Sequence, residues 1–146
     1  MMDKTTAEAD YRFLDYRITH IAMTLLPVKT ETQQNQVETT FHVAVRLGEK
    51  GTGQTKVDAA VTAWTMPKEG EPREKVLTLS MTIIGQFAAA REDISQEDMI
   101  HFLNLNGVAA LLPIARAAIL NTMQTANISH PFILPMMNVY HMQQNQ

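Results

Sequence analysis

The stretch VETTFHVAVRL, residues 37–47, alternates without a fault. Val37, Thr39, Phe41, Val43, Val45 and Leu47 fall on one side, and Glu38, Thr40, His42, Ala44 and Arg46 on the other. Successive side chains of a strand point to opposite faces, so a period of two rich in β-branched and aromatic residues predicts a half-buried β-strand. The next residues, GEKGTG at 48–53, form a turn of the kind that joins antiparallel neighbours. It leads into a third strand at 56–66, with Val57, Ala59, Val61 and Ala63 inward. After the turn PKEGEP, residues 67–72, a fourth strand at 75–87 places Leu77, Leu79, Met81 and Ile83 on one face and Val76, Thr78, Ser80 and Thr82 on the other.

Upstream, YRFLDYRITHIAMTLLP at 11–27 alternates in two phases: Leu14, Tyr16 and Ile18, then Ile21, Met23 and Leu25. One extra residue shifts the phase of a strand, which predicts a long strand with a β-bulge or bend near Thr19 and His20. A polar turn at 29–36 follows. Four strands with short polar connections predict an antiparallel meander.

From residue 93 the period changes. Ser95 is a good N-cap, with Gln96, Glu97 and Asp98 in the first turn, where acidic groups favour the helix dipole. Asn106, Gly107 and Pro113 interrupt the helix that begins there, and Pro113 cannot donate to the carbonyl of Ala109, so a kink or break is expected between 107 and 113. The tail SHPFILPMMNVYHMQQNQ, residues 129–146, opens on a proline-bracketed extended segment and reads as ending in a short helix. The expected fold is α+β: a four-stranded antiparallel sheet, a long kinked helix at 95–126 and a short C-terminal helix within 128–146. Residues 1–10 read as a flexible N-terminus. With 146 residues, no internal repeat and no linker, the whole chain reads as one domain, 1–146.

Charge narrows the function. Twelve Lys and Arg against fifteen Asp and Glu give a formal net charge of -3. The cations are scattered singly, which argues against nucleic-acid binding. There is no cysteine, so disulfides, thiolate zinc sites and cysteine nucleophiles are excluded, and a reducing cytoplasm is compatible. No secretory signal is seen at the start, and the longest apolar stretch, 107–115, falls short of the roughly 20 residues a membrane span needs. A soluble cytoplasmic protein is expected.

Between Met99 and Gln146 the only residue formally charged at neutral pH is Arg116. A solvated helical layer carries charges on its outer face, so both faces of this segment read as covered, one by a sheet and one by another subunit. A polar uncharged surface of Asn, Gln, Thr and Ser is the other reading.

No catalytic constellation emerges. The histidines at 20, 42, 101, 130 and 141 never fall at i,i+3 or i,i+4, no P-loop, GxSxG or dinucleotide turn is present, and Glu92, Asp93, Glu97 and Asp98 lie beside a helix start where capping is their expected role. Neither an enzyme nor a cofactor is expected. Three of the ten methionines, Met136, Met137 and Met142, cluster in the tail with Phe132, Ile133, Leu134, Val139 and Tyr140. Such a surface can adapt to many apolar partners, or it can pack on its own domain.

The run Asn106, Gly107, Leu111, Leu112, Pro113, Ile114, Ala115, Arg116 resembles the hallmark helix of the SecB export chaperones. PFILPMMNVY, with Pro135 and Asn138, resembles that family's second motif, and Gly85 with Phe87 its Gly-x-Phe at the end of strand four. The resemblance implies an ATP-independent holdase, a dimer to dimer of dimers assembled through its long helices, that holds non-native polypeptides or preproteins in apolar grooves. It implies a polypeptide-binding site at Phe132, Ile133, Leu134, Met136, Met137 and Tyr140. Trp64 is a further candidate, which its strand neighbours also allow to be a partly exposed aromatic. It implies a helix interface at Leu111, Leu112, Ile114, Ile119 and Met123. The family's acidic residues that face the motor SecA correspond to His20, Thr24 and Ser80, which carry no such charge, and this puts SecA binding in question. A dedicated chaperone for one partner, such as an antitoxin, or a non-catalytic interaction module is the alternative, and a small-molecule binder or enzyme on the α+β sheet is the third reading.

Overall fold

The computed structural model describes residues 10–26, 35–65 and 69–125. Four strands, β1 (Tyr11–Leu25), β2 (Asn35–Leu47), β3 (Thr52–Thr65) and β4 (Lys75–Ala89), form one antiparallel sheet in the order β1-β4-β3-β2. The expected meander holds for β2, β3 and β4. β1 departs from it, crossing to lie beside β4 rather than β2, which gives a Greek-key order. The residue types suit this arrangement. β4 is uncharged from Val76 to Ala89, as befits a strand flanked on both sides, whereas β1 carries Arg12, Asp15 and Arg17 and takes an edge.

The β1–β4 register shifts twice, between Phe13 and Asp15 and between Ile18 and His20. The second shift is the bulge expected from the slipped alternation, and the first, at Leu14, is an additional one. Together they keep Phe13, Tyr16, Ile18, Ile21, Met23 and Leu25 on one face, opposite Phe87, Gly85, Ile83, Met81, Leu79 and Leu77. The β2–β3 turn closes with the Gly48 N–H donating to the Thr52 carbonyl at 2.9 Å, and Gly51 adopts a positive φ of 71°.

The helical layer begins where expected. Ser95 caps it, its hydroxyl accepting from the Asp98 N–H at 3.1 Å. α1 (Gln96–Phe102) continues through a π turn, Leu103–Gly107, into α2 (Val108–Thr125). The π turn stands just ahead of the 107–113 stretch in which a kink or break is expected and meets it only at Gly107, while α2 runs on through Pro113 without a break. A turn of this kind leaves a carbonyl in need of a donor. The buried Thr55 hydroxyl supplies one to Leu103 O at 2.8 Å. Gly107 packs on that same threonine, and a Cβ there would overlap Thr55 Oγ1.

One core cluster joins the inner faces of β3 and β4, including Val57, Val61, Leu77, Leu79, Met81 and Ile83, to Val108, Leu111, Leu112, Ala115, Ile119 and Met123 of α2. Within residues 96–125 an 18-residue window has a mean hydropathy of 1.5, apolar enough by composition alone to cross a membrane. Here Val108, Leu111, Leu112, Ala115, Ile119 and Met123 lie against the sheet. The proposed short C-terminal helix lies outside the described residues.

Candidate functional site

The helical layer sits over β3 and β4, and β1 extends the sheet one strand beyond β4. The inner face of β1 is therefore only partly covered. Tyr11 stacks on Phe102 of α1, with ring centroids 3.8 Å apart, and Phe13 stacks on Phe87 at 4.9 Å. Burial, reinforced by the carboxylates of Asp98 and Asp10 and opposed by Arg91, raises the Tyr11 pKa above its usual value of 10.0. Met23 packs against the main core. The remaining residues of this face, Phe13, Tyr16, Ile18, Ile21 and Leu25, stay between 37% and 51% exposed, and the bulge residue Leu14 reaches 57%. With about 150 to 250 Å² for a large aromatic side chain, the strip presents on the order of 400 Å² of apolar surface, the scale at which such a patch marks an interaction site. Beside it, the outer edge of β1 has no strand partner among the described residues, so its main-chain N–H and C=O groups form an open row. On the helix, Ile100 and Leu120 add further exposed apolar area.

Such a surface can hold apolar side chains without regard to sequence, while the open row can pair with an extended backbone. Among the described residues no group of three His, Cys, Asp or Glu could hold a metal. His20 Nε2 lies 2.8 Å from Ser80 Oγ, but the nearby carboxylate of Asp58 accepts from Thr82 instead, so no carboxylate orients that imidazole.

The structure distributes the expected site residues widely. Phe132, Ile133, Leu134, Met136, Met137 and Tyr140 lie outside the described residues. Trp64 faces away from the helix, with the Arg73 guanidinium 4.1 Å and the Lys75 ammonium 5.3 Å from its ring centroid. His20, Thr24 and Ser80 share that outer face and are exposed. Leu111, Leu112, Ile119 and Met123 point into the protomer's own core, and Ile114 is partly buried against it. The outward positions of α2 are instead Ala109, Pro113, Ala117, Leu120, Asn121 and Gln124, all exposed and none charged. The β1 strip is not singled out by sequence: alternation places Tyr16, Ile18, Ile21 and Leu25 on the apolar phases of a strand, but puts Leu14 where the structure has Phe13.

No protein-family model matches the chain, and no curated protein matches it in sequence. Solved structures do match. The SecB-like chaperone Rv1957 of Mycobacterium tuberculosis, in complex with a ChAD peptide from the HigA1 antitoxin Rv1956, has a TM-score of 0.73 over 88% of this chain and 91% of that chain, at 14% identity. A protein of unknown function from Streptococcus agalactiae is 16% identical over 89% of this chain and 100% of that chain, and its TM-score of 0.40 is too low to bear on the fold. The antiparallel four-stranded sheet covered on one face by a long helix is thus shared with that solved structure. More specifically, the chain has the SecB-like fold.

Proposed function

We propose that the chain is an ATP-independent chaperone of SecB type, which binds non-native polypeptide segments on the inner face of β1. The observation that carries this reading is the uncovered apolar strip Phe13, Tyr16, Ile18, Ile21 and Leu25, set beside an open strand edge. Apolar area exposed by an unfolded chain gains roughly 25 cal/mol per Å² on being covered, so a few side chains docking on the strip give reversible, sequence-tolerant binding. The SecB-like fold supports the reading. The apolar side chains Phe132, Ile133, Leu134, Met136, Met137 and Tyr140 are further polypeptide-binding residues in this proposal, and the site of action is the cytoplasm. Co-elution with a permanently unfolded polypeptide in size-exclusion chromatography tests it. The expected result is a shared peak. Separate elution at micromolar concentrations overturns the reading.

Assembly belongs to the same proposal. Copies pair through the open edge of β1, and pairs join through the uncharged outward face of α2, giving a dimer or a dimer of dimers. Export of preproteins with delivery to SecA is one use of such a holdase. Service to one dedicated partner is the other, favoured by the antitoxin peptide bound to the similar Rv1957 protein and by the lack of acidic side chains at His20, Thr24 and Ser80. Affinity capture that recovers many unrelated unfolded clients supports the general role, and capture of a single partner supports the dedicated one.

A further inference from the structure

The sheet face turned away from the helix has a charge balance opposite to that of the chain. Arg12 pairs in register with Ala88 and Arg17 with Ile84, while Lys56 lies between Ile84 and Ala44, and Arg46 is opposite Gln54. All four alternate with inward-facing residues and so share the outer face, where the strand carboxylates beside them are Asp15 and Asp58, and Glu49 of the β2–β3 turn lines one cleft with Arg46. Both strand carboxylates are engaged. Asp58 lies 3.9 Å from Lys56 Nζ and accepts from the Thr82 hydroxyl, and Asp15 accepts from the Tyr16 N–H at 2.8 Å. Arg12, Arg17 and Arg46 have no carboxylate partner among the described residues. β4 adds no charge between them, offering Thr78, Ser80, Thr82 and Gln86. A basic half-face therefore stands in a chain of net charge -3.

Strands lie about 4.8 Å apart, so Lys56 lies within about 10 Å of Arg17 and of Arg46, while Arg17 and Arg46, three strands apart, are separated by about 16 Å. The two shorter separations are close to one Debye length at physiological salt, so Lys56 links the fields of the two arginines over the surface. Ile84 lies in register between Arg17 and Lys56, and polar amides lie two residues along at Gln54 and Gln86. Gln86 Nε2 donates to Gln54 Oε1 at 3.0 Å, and these two amides with Arg46, Glu49 and the β2–β3 turn line a cleft of about 370 Å³. A flat row of separated cations and carboxamides complements an extended chain, in which alternate side chains recur at about 6.8 Å. Single-stranded nucleic acid fits less well, because this half of the face has no exposed aromatic ring for base stacking, and Trp64 lies at the other end beneath Arg73.

We propose that the outer face of the sheet docks an acidic, extended polypeptide segment, its carboxylates paired with Arg12, Arg17, Arg46 and Lys56. The surface is separate from the apolar strip, so the two can be occupied together and their tests are independent. Fluorescence anisotropy with a labelled peptide of about ten residues, alternating Glu and Ser, probes this face on the full chain. The peptide contains no apolar side chain, so its failure to bind leaves the client-binding reading intact. The expected result is binding that weakens at least about fivefold from about 50 to about 200 mM salt, with no binding of the Gln-for-Glu peptide. Arg17→Gln combined with Arg46→Gln lowers affinity about tenfold with an unchanged circular dichroism spectrum, while Arg91→Gln, which breaks contacts elsewhere to Asp10 and Asp93, has no effect. If the double variant loses its fold, each single substitution reads the same effect at about threefold. Equal binding of the Gln peptide, unchanged affinity in the variants, or tighter binding of an oligonucleotide of equal charge overturns the proposal.

Discussion

Thr55 and Gly107 hold the point where the helical layer bends its hydrogen-bond pattern onto the sheet. Gly107→Ala drives a methyl group into the Thr55 hydroxyl and forces the π turn off β3, so a loss of about 1–3 kcal/mol is expected in urea unfolding. Thr55→Val keeps the shape but removes the hydrogen bond from the threonine hydroxyl to the Leu103 carbonyl, at a cost of about 1 kcal/mol. Because the two side chains share one contact, the double variant is expected to fall short of the sum. The sequence marks Gly107 as an interruption of the helix, yet its cause is a threonine on β3 that no local pattern connects to it. The Ser95 cap, by contrast, is entirely local and was legible in full. Trp64 shows the intermediate case: its strand face followed from alternation, but the cations over its ring come from Arg73 and Lys75 across the β3–β4 turn.

At the scale of the element, β1 and α2 respond differently to charge. Ile18→Asp with Ile21→Asp puts two carboxylates on exposed positions of an edge strand, so the fold survives with at most a modest drop in stability while binding of an unfolded polypeptide falls about tenfold or more. Titration with an unfolded client, alongside circular dichroism, reads both. Leu112→Asp buries a carboxylate in the core under α2, which costs several kcal/mol and unfolds the protomer, seen as loss of the cooperative thermal transition. The period of each strand, and the bulge at Ile18 to His20, could be read because alternation fixes which residues share a face. The bulge at Leu14 could not, since Leu14 is itself apolar and continues one phase without a visible break. Strand order was also illegible: alternation states that β1 is a strand but not which neighbour it chooses. The apolar strip is a consequence of that choice, and so the site was seen as residues before it could be seen as a surface.

For the whole molecule, the described part of the nearly uncharged third, residues 99–125, divides into two faces. One is the protomer core, with Leu111, Leu112, Ile119 and Met123, and the other is the exposed row Ala109, Pro113, Ala117, Leu120, Asn121 and Gln124. Composition alone indicated two covered faces but could not say which leucines served which, because α2 is apolar on most sides. Light scattering across a dilution series is expected to give the mass of a dimer or tetramer, and a 16.4 kDa particle at every concentration contradicts the assembly proposed above. The central claim is that the protomer holds non-native polypeptide on apolar surface. Its most direct test is the turbidity of a chemically denatured client diluted into buffer with an equimolar amount of this protein. Suppressed aggregation with the wild-type chain, lost in the Ile18→Asp, Ile21→Asp variant, is the predicted result, and aggregation unchanged by the wild-type chain contradicts the account.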